Sequence, residues 1–305
     1  MTWDVVLSGT EVRALREGHH AIAVDVATFR VEGSGTIACL QGMLTNDVVA
    51  MPSHGMVWGA FLTPKGMIIT DAWLRRDGDA AWVIVPASAA GAVSALFTKT
   101  LPPRLARATD VTAAVTVRWL VGADGAMPED VNVTIPSGLA PFRAMVLSPD
   151  PALEVDARLR ERGWLPTPTA WADAARLLAG WPALGREIDD RTLPQEVRFD
   201  ELGGVRYDKG CYTGQETVAR LHFRGHANRV LRGLHWEKSH VPSGTDILLG
   251  ERPVGTIRTT GQLGNQLIAL ALIRREVEPG ETVVAGGGAA SVVALPDWGR
   301  EFQAG

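Results

Sequence analysis

The chain has 305 residues, 46% of them apolar, and a formal charge of −4. That length suggests about two domains or three small ones, each able to bury a core. The acidic balance argues against a generally basic nucleic-acid or membrane-binding surface, although one local basic groove can still hold a polyanion.

In chain order, Met-Thr-Trp-Asp at the start has neither a positive n-region nor an apolar h-region, so a cytoplasmic protein is expected. Ser8 and Glu11 have capping-box spacing for a short helix that Gly18 can end, followed by one strand over Ala21 to Val26. A second helix is predicted from Thr36 to Leu44, with Cys39 beside or within its buried stripe. Between Met56 and Val85, three apolar runs separated by Thr63-Pro64-Lys65-Gly66 and Asp77-Gly78 predict an antiparallel meander. A covering helix from Ala87 to Lys99 and a returning strand from Val111 to Val121 complete an α+β layer. Asp150-Pro151 and Thr167-Pro168 mark two helix starts, with Gly163 and Gly180 as stops. Beyond Arg229, short strands and glycine-bearing turns suit a small β-barrel or sandwich, in which Ala285 to Ala290 reads as a loop. The longest uncharged stretch, Ala80 to Thr98, is broken by Pro86 and Gly91 and is no membrane span.

The chemistry concentrates at residues 209–216, Lys-Gly-Cys-Tyr-Thr-Gly-Gln-Glu, which hold Cys211, one of two cysteines. Gly210 and Gly214 are expected to take backbone angles that a Cβ would resist. Thr213 and Glu216 have capping-box spacing for a helix starting just after the cysteine. With Lys209, Arg220 and Arg224 near, such surroundings favour a nucleophilic thiolate; the alternative is a cysteine packed as a small hydrophobe. Two cysteines fall short of the four thiolates that hold an iron–sulfur cluster within one chain. No metal site is expected: His222 and His226 stand four apart, but Gly225 lies between them and no third ligand is evident. There is no P-loop, zinc-protease motif or nucleophile elbow.

Lys209 to Glu216, extended through Val218-Ala219-Arg220 and Arg224-Gly225, resembles the signature of the folate-binding YgfZ family, relatives of the glycine cleavage T-protein. Leu40-Gln41-Gly42, Leu44-Thr45-Asn46-Asp47-Val48, Thr63-Pro64-Lys65-Gly66, Gly185 to Asp189 and Pro194-Gln195-Glu196 support it in the same order. The resemblance implies a T-protein-like α+β fold around a central folate-sized cavity. It divides the chain into a split first domain (1–50 and 145–228), a ferredoxin-like second domain (51–144) and a C-terminal β-barrel (229–305). It also implies a role with tetrahydrofolate, or a one-carbon derivative of it, in assembling or repairing iron–sulfur proteins, including cluster enzymes that thiolate tRNA. Iron–sulfur client or assembly proteins would be the partners, with no membrane and no direct nucleic-acid contact.

Within that resemblance Cys211, Lys209 and Asp71 are the catalytic candidates, and Asp47, Tyr212, Gln215, Glu216, Arg220 and Arg224 the cofactor-binding ones. Tyr212 can stack on a flat ligand or pack beneath the turn; Glu216 can bind ligand or cap the helix. The T-protein's acid pair falls on Thr70-Asp71 in an ungapped match, which turns the catalytic carboxylate into a hydroxyl; shifted by one residue, Asp71 takes its place. The T-protein's pterin-gripping glutamate falls on Leu178, which offers no hydrogen bond. Two functions follow: an accessory factor acting through Cys211, or an aminomethyltransferase-type one-carbon transferase needing Asp71 near the pterin.

Overall fold

The computed structural model describes residues 3–51, 55–123, 142–237, 242 and 244–295. The chain opens with β1 (Val5–Leu7), α1 (Gly9–Glu17), β2 (His19–Ala23), β3 (Val26–Glu32) and α2 (Thr36–Gln41). A meander of β4 (Met56–Leu62), β5 (Ile68–Asp77) and β6 (Ala80–Pro86) leads to α3 (Ala90–Thr100), β7 (Arg107–Asp110) and β8 (Thr116–Gly122). Next come β9 (Phe142–Ser148), α4 (Ala152–Glu161), β10 (Leu165–Thr167), α5 (Ala170–Ala179) and α6 (Gln215–Arg224). The last strands are β11 (Arg229–Trp236), β12 (Asp246–Leu249), β13 (Arg252–Leu263), β14 (Gln266–Arg274), β15 (Thr282–Ala285) and β16 (Gly288–Val293).

Local chemistry explains many of the boundaries. The Ser8 amide donates to Glu11 Oε2 at 2.7 Å and the Glu11 amide to Ser8 Oγ at 3.3 Å, so the expected capping box starts α1, which buries Val12 and Leu15. Gly180 ends α5 at φ +60°, in the left-handed region that favours glycine. Residues 285–290, expected as a loop, instead make a hairpin. Ala285 pairs with Gly288, and Gly286 and Gly287 take φ +56° and +87°, the two positive angles that match the twist of paired strands.

Three sheets result. β4-β5-β6-β3-β7 form one and β10-β2-β8-β9 another; β13-β12-β15-β16-β11-β14 close on themselves through β13–β14 into a six-stranded antiparallel barrel. β1 adds to the barrel parallel to β13, so the first strand is stitched to the last module. The single strand expected over 21–26 is two strands: the chain breaks at Val24-Asp25 and passes from the β2 sheet to the β3 sheet. Sheet membership therefore cuts across the boundaries expected at 50/51 and 144/145, since β3 joins the meander and β8 joins β2 and β9; residues 124–141 and 296–305 lie outside those described.

One apolar cluster joins all three sheets, taking Ile22 from β2, Trp58 from β4, Val121 from β8 and Leu270 from β14. A second lies between α3 and the other face of the meander, and a third fills the barrel around Leu234, Trp236 and Ile257. Strand side chains alternate between faces, and this alternation decides what each core sees. On β5, Ala72 and Leu74 enter the α3 side while Asp71 and Trp73 face the shared centre.

Candidate functional site

The 205–214 loop is bound to the end of α2 by contacts that span the chain. The Arg206 amide donates to Thr45 O at 3.0 Å and the Thr213 amide to Gly42 O at 3.1 Å. Between them the Lys209 ammonium donates to Gln41 O, Leu44 O and Asn46 O at 2.7, 2.7 and 2.8 Å. Carbonyls left over at a helix C-terminus need donors, and a cation there also meets the negative end of the helix dipole. Burial pushes Lys209 down to about 8, with Asp47 pulling the other way. All three ammonium donors are thus used on backbone. Lys209 thereby fixes the loop that carries Cys211.

Cys211 is exposed. The neighbouring Tyr212 is buried beneath the turn, its ring 4.9 Å from Lys209 Nζ, its hydroxyl unpaired among the described residues, and its acidity depressed by burial. Gly214 takes φ +81° and directly precedes α6; no side-chain cap bond is made there, so the capping box expected of Thr213 and Glu216 does not form. Gly214 is glycine for two reasons, the positive φ and a Cβ that would sit 2.6 Å from Thr63 O on the β4–β5 turn. Gly210 has neither: no positive φ, and open space where a Cβ would be.

The cavity lies where the chain crosses between sheets. It encloses about 250 Å³, bordered by Val24 to Val26, Trp73, Trp119, Trp181 and Asp71. Asp71 Oδ2 accepts from Trp58 Nε1 at 3.1 Å, while Oδ1 is buried with no partner among the described residues. Burial pushes this carboxyl up to about 6, against the pull of the Trp58 bond. Trp58 is itself held: its ring stacks on Phe199 at 4.1 Å, and Asn46 Nδ2 donates to its carbonyl at 2.6 Å and to Gly203 O at 2.8 Å. Arg176, at the cavity edge, is bound into a buried network with Glu187 (2.8 Å), Trp181 O (2.9 Å) and Thr259 of the barrel (3.2 Å).

Of the candidates read from the sequence, Asp71 alone lines this cavity among the described residues. Asp47 sits in the loop after α2, where the Ala50 amide first, then Gln41 and Lys209, hold its carboxyl below the usual range. Gln215, Glu216, Arg220 and Arg224 lie along α6, and Glu216, Arg220 and Arg224 are exposed. Leu178 is buried in the shared core. Thr70 is fully buried on the other face of β5, its hydroxyl donating to Asp71 O at 2.9 Å. Sequence reasoning missed Trp58, Asn46, Trp181 and the Arg176–Glu187 pair. Asn46 carried a signal within the Leu44-Thr45-Asn46-Asp47-Val48 run; tryptophans scattered among ten did not.

A closed antiparallel barrel beside two layers of helix and sheet, one sheet antiparallel and the other mixed through the parallel β10–β2 pair, with a carboxyl-bearing aromatic cavity between them, is a T-protein-like fold. The glycine cleavage system aminomethyltransferase T from Bartonella henselae superposes with a TM-score of 0.76 at 17% identity, covering 94% of this chain and 88% of that one. In sequence the chain is similar to the tRNA-modifying protein YgfZ of Escherichia coli O157:H7 (strain EC4115 / EHEC), 29% identical over 278 residues, or 84% of this chain and 85% of the relative. The protein of the same name from Pectobacterium atrosepticum is 28% identical over 268 residues, 79% of each. The resemblance to YgfZ and the T-protein read from the sequence is borne out. No family model matches. Among the described residues no helix is long and apolar enough to cross a membrane, and no group of three or more His, Cys, Asp and Glu side chains is placed to hold a metal ion.

Proposed function

We propose that this protein is a YgfZ-type accessory factor that binds tetrahydrofolate or a one-carbon derivative and serves the assembly or repair of iron–sulfur proteins, tRNA-modifying enzymes among them, through Cys211. The observation that carries the reading is the setting of Cys211: an exposed thiol on a loop fixed by the Lys209 ammonium and two backbone bonds. A reactive group at the surface of a held loop suits work on a second protein. The chain's own two cysteines are too few for a cluster, so the cluster belongs to the client.

The lining of the cavity supports a flat ring as its occupant. A pterin presents N–H donors and two flat faces; Asp71 Oδ1 is a buried acceptor without a partner among the described residues, and Trp73, Trp119 and Trp181 supply aromatic wall. At about 250 Å³ the cavity falls below the roughly 300 Å³ at which pockets for whole drug-sized ligands begin, so it suits the bicyclic ring with the tail outside. Bound there, the folate would supply a one-carbon carrier; the chain would orient the ring through Asp71 and exclude water with its tryptophans.

The test is Cys211→Ala in cells, read as the activity of iron–sulfur enzymes and the level of thiolated tRNA, beside calorimetric titration of the purified variant with tetrahydrofolate. Loss of the cellular phenotype with folate uptake retained supports the reading; an unaffected cell removes the thiol from the mechanism. One observation favours the second reading, a one-carbon transferase: Asp71 faces the cavity. Aminomethyl transfer to tetrahydrofolate that survives Cys211→Ala and is lost in Asp71→Asn would select it.

A further inference from the structure

We propose that the C-terminal half of α6 is a stacking surface for single-stranded nucleic acid. Phe223 is 67% exposed, among the most exposed large apolar side chains described. Its ring stands edge-on to Tyr207 (5.7 Å, 71°) and to His222 (4.8 Å, 87°), and those two are stacked on each other at 3.7 Å and 17°. The pair is anchored from below: Tyr207 donates to Asp200 Oδ1 at 2.6 Å and accepts from Gln195 Nε2 at 3.2 Å. Phe223 is therefore braced by a fixed aromatic pair while most of its surface remains in water.

Cations flank it. Arg220 lies one turn before both Phe223 and Arg224 and adjoins each of them on the helix surface. Both are exposed, and among the described residues neither has an acidic side chain within 4.0 Å, Glu216 four residues before Arg220 included. One turn further back, Thr217 packs against Gly66 of the β4–β5 turn, whose neighbour Lys65 is exposed and likewise without an ionic partner. Arg220 and Arg224 thus lie along one edge of α6, the turn that carries Lys65 meets the helix at Thr217, and the aromatic cluster stands at its end.

Cations alone would suit any polyanion, and an acidic peptide gains nothing from an exposed phenyl ring. Bases stack on aromatic and guanidinium planes without regard to sequence while their phosphates meet the cations. The net charge of −4 opposes long-range attraction, so the contact is local and depends on salt. This qualifies the expectation of no nucleic-acid contact drawn from composition, and it stands apart from the folate and thiol readings.

The test is fluorescence anisotropy of fluorescein-labelled oligouridylate with the full-length protein across a salt series. Phe223→Ala should weaken binding by roughly 5-fold or more, the effect of losing one stacked base. The double variant Arg220→Gln/Arg224→Gln should flatten the plot of log affinity against log salt by about 1.4, two phosphate contacts at about 0.7 each on a single strand. Both variants change exposed side chains, and circular dichroism confirms folding. Absence of measurable binding by the unaltered protein, displacement of the oligonucleotide by oligoglutamate at equal charge, or an unchanged affinity in Phe223→Ala would overturn the proposal.

Discussion

Replacing Asp71 by asparagine isolates the energetic cost of the cavity carboxyl. In the folded protein this group titrates at about 6, against 3.8 for an ordinary aspartate, because burial outweighs the Trp58 hydrogen bond. Each pH step of separation corresponds to about 1.4 kcal/mol, so the charged form carries roughly 3 kcal/mol of penalty. Between pH 3.8 and about 6 the folded state holds a proton that the unfolded state has lost, so stability is highest below this window and falls as pH rises through it. Asparagine preserves the shape and the acceptor for Trp58 Nε1 but cannot ionise. It also brings a buried N–H that lacks a partner, at about 1–3 kcal/mol, and that cost is the same at every pH. The expected result concerns the difference between two differences: relative to the native chain, Asp71→Asn should gain roughly 3 kcal/mol between about pH 3 and neutral pH. At about 2–4 °C per kcal/mol, this is a change of roughly 6–12 °C in the gap between their melting temperatures. Differential scanning calorimetry at the two pH values measures it. A gap independent of pH would refute the reasoning, because it would mean that Asp71 is solvated or neutralised by something other than a proton.

Lys209→Met keeps the apolar stem and removes the donor from three carbonyls; after allowance for the ammonium's own burial cost, a loss of roughly 2–4 kcal/mol is expected as a lower urea midpoint, and an unchanged midpoint would show that the clamp contributes nothing. The two glycines flanking Cys211 should behave oppositely. Gly214→Ala forces a Cβ to 2.6 Å from Thr63 O at φ +81° and should cost more than the ~1–2 kcal/mol of left-handed strain alone, whereas Gly210→Ala should stay within about 0.5 kcal/mol in thermal melts.

Read from sequence, the α+β class, the 56–85 meander, the start of α1 and the terminal barrel are legible, because each shows in a pattern within a few residues; α4 and α5 begin at Ala152 and Ala170 without the side-chain caps expected of Asp150 and Thr167. A capping box needs Ser8 and Glu11 three apart, and a strand's pattern needs only its own alternation. The octapeptide around Cys211 stands out in the sequence as a candidate for the same reason. What it does could not be read there. Lys209 meets its carbonyl partners 163 to 168 positions away, so nothing in the local spacing distinguishes a lysine that activates a thiol from one that holds a loop. Likewise the choice between Thr70 and Asp71 is decided by which face of β5 meets the cavity, and one step of strand register reverses it. The break at Val24-Asp25 and the addition of β1 to the barrel depend on which sheets are present to receive those strands. Local sequence determined the elements and marked the loop that carries Cys211; burial and register, which belong to the assembled chain, decided which carboxyl faces the cavity and which cation is already committed.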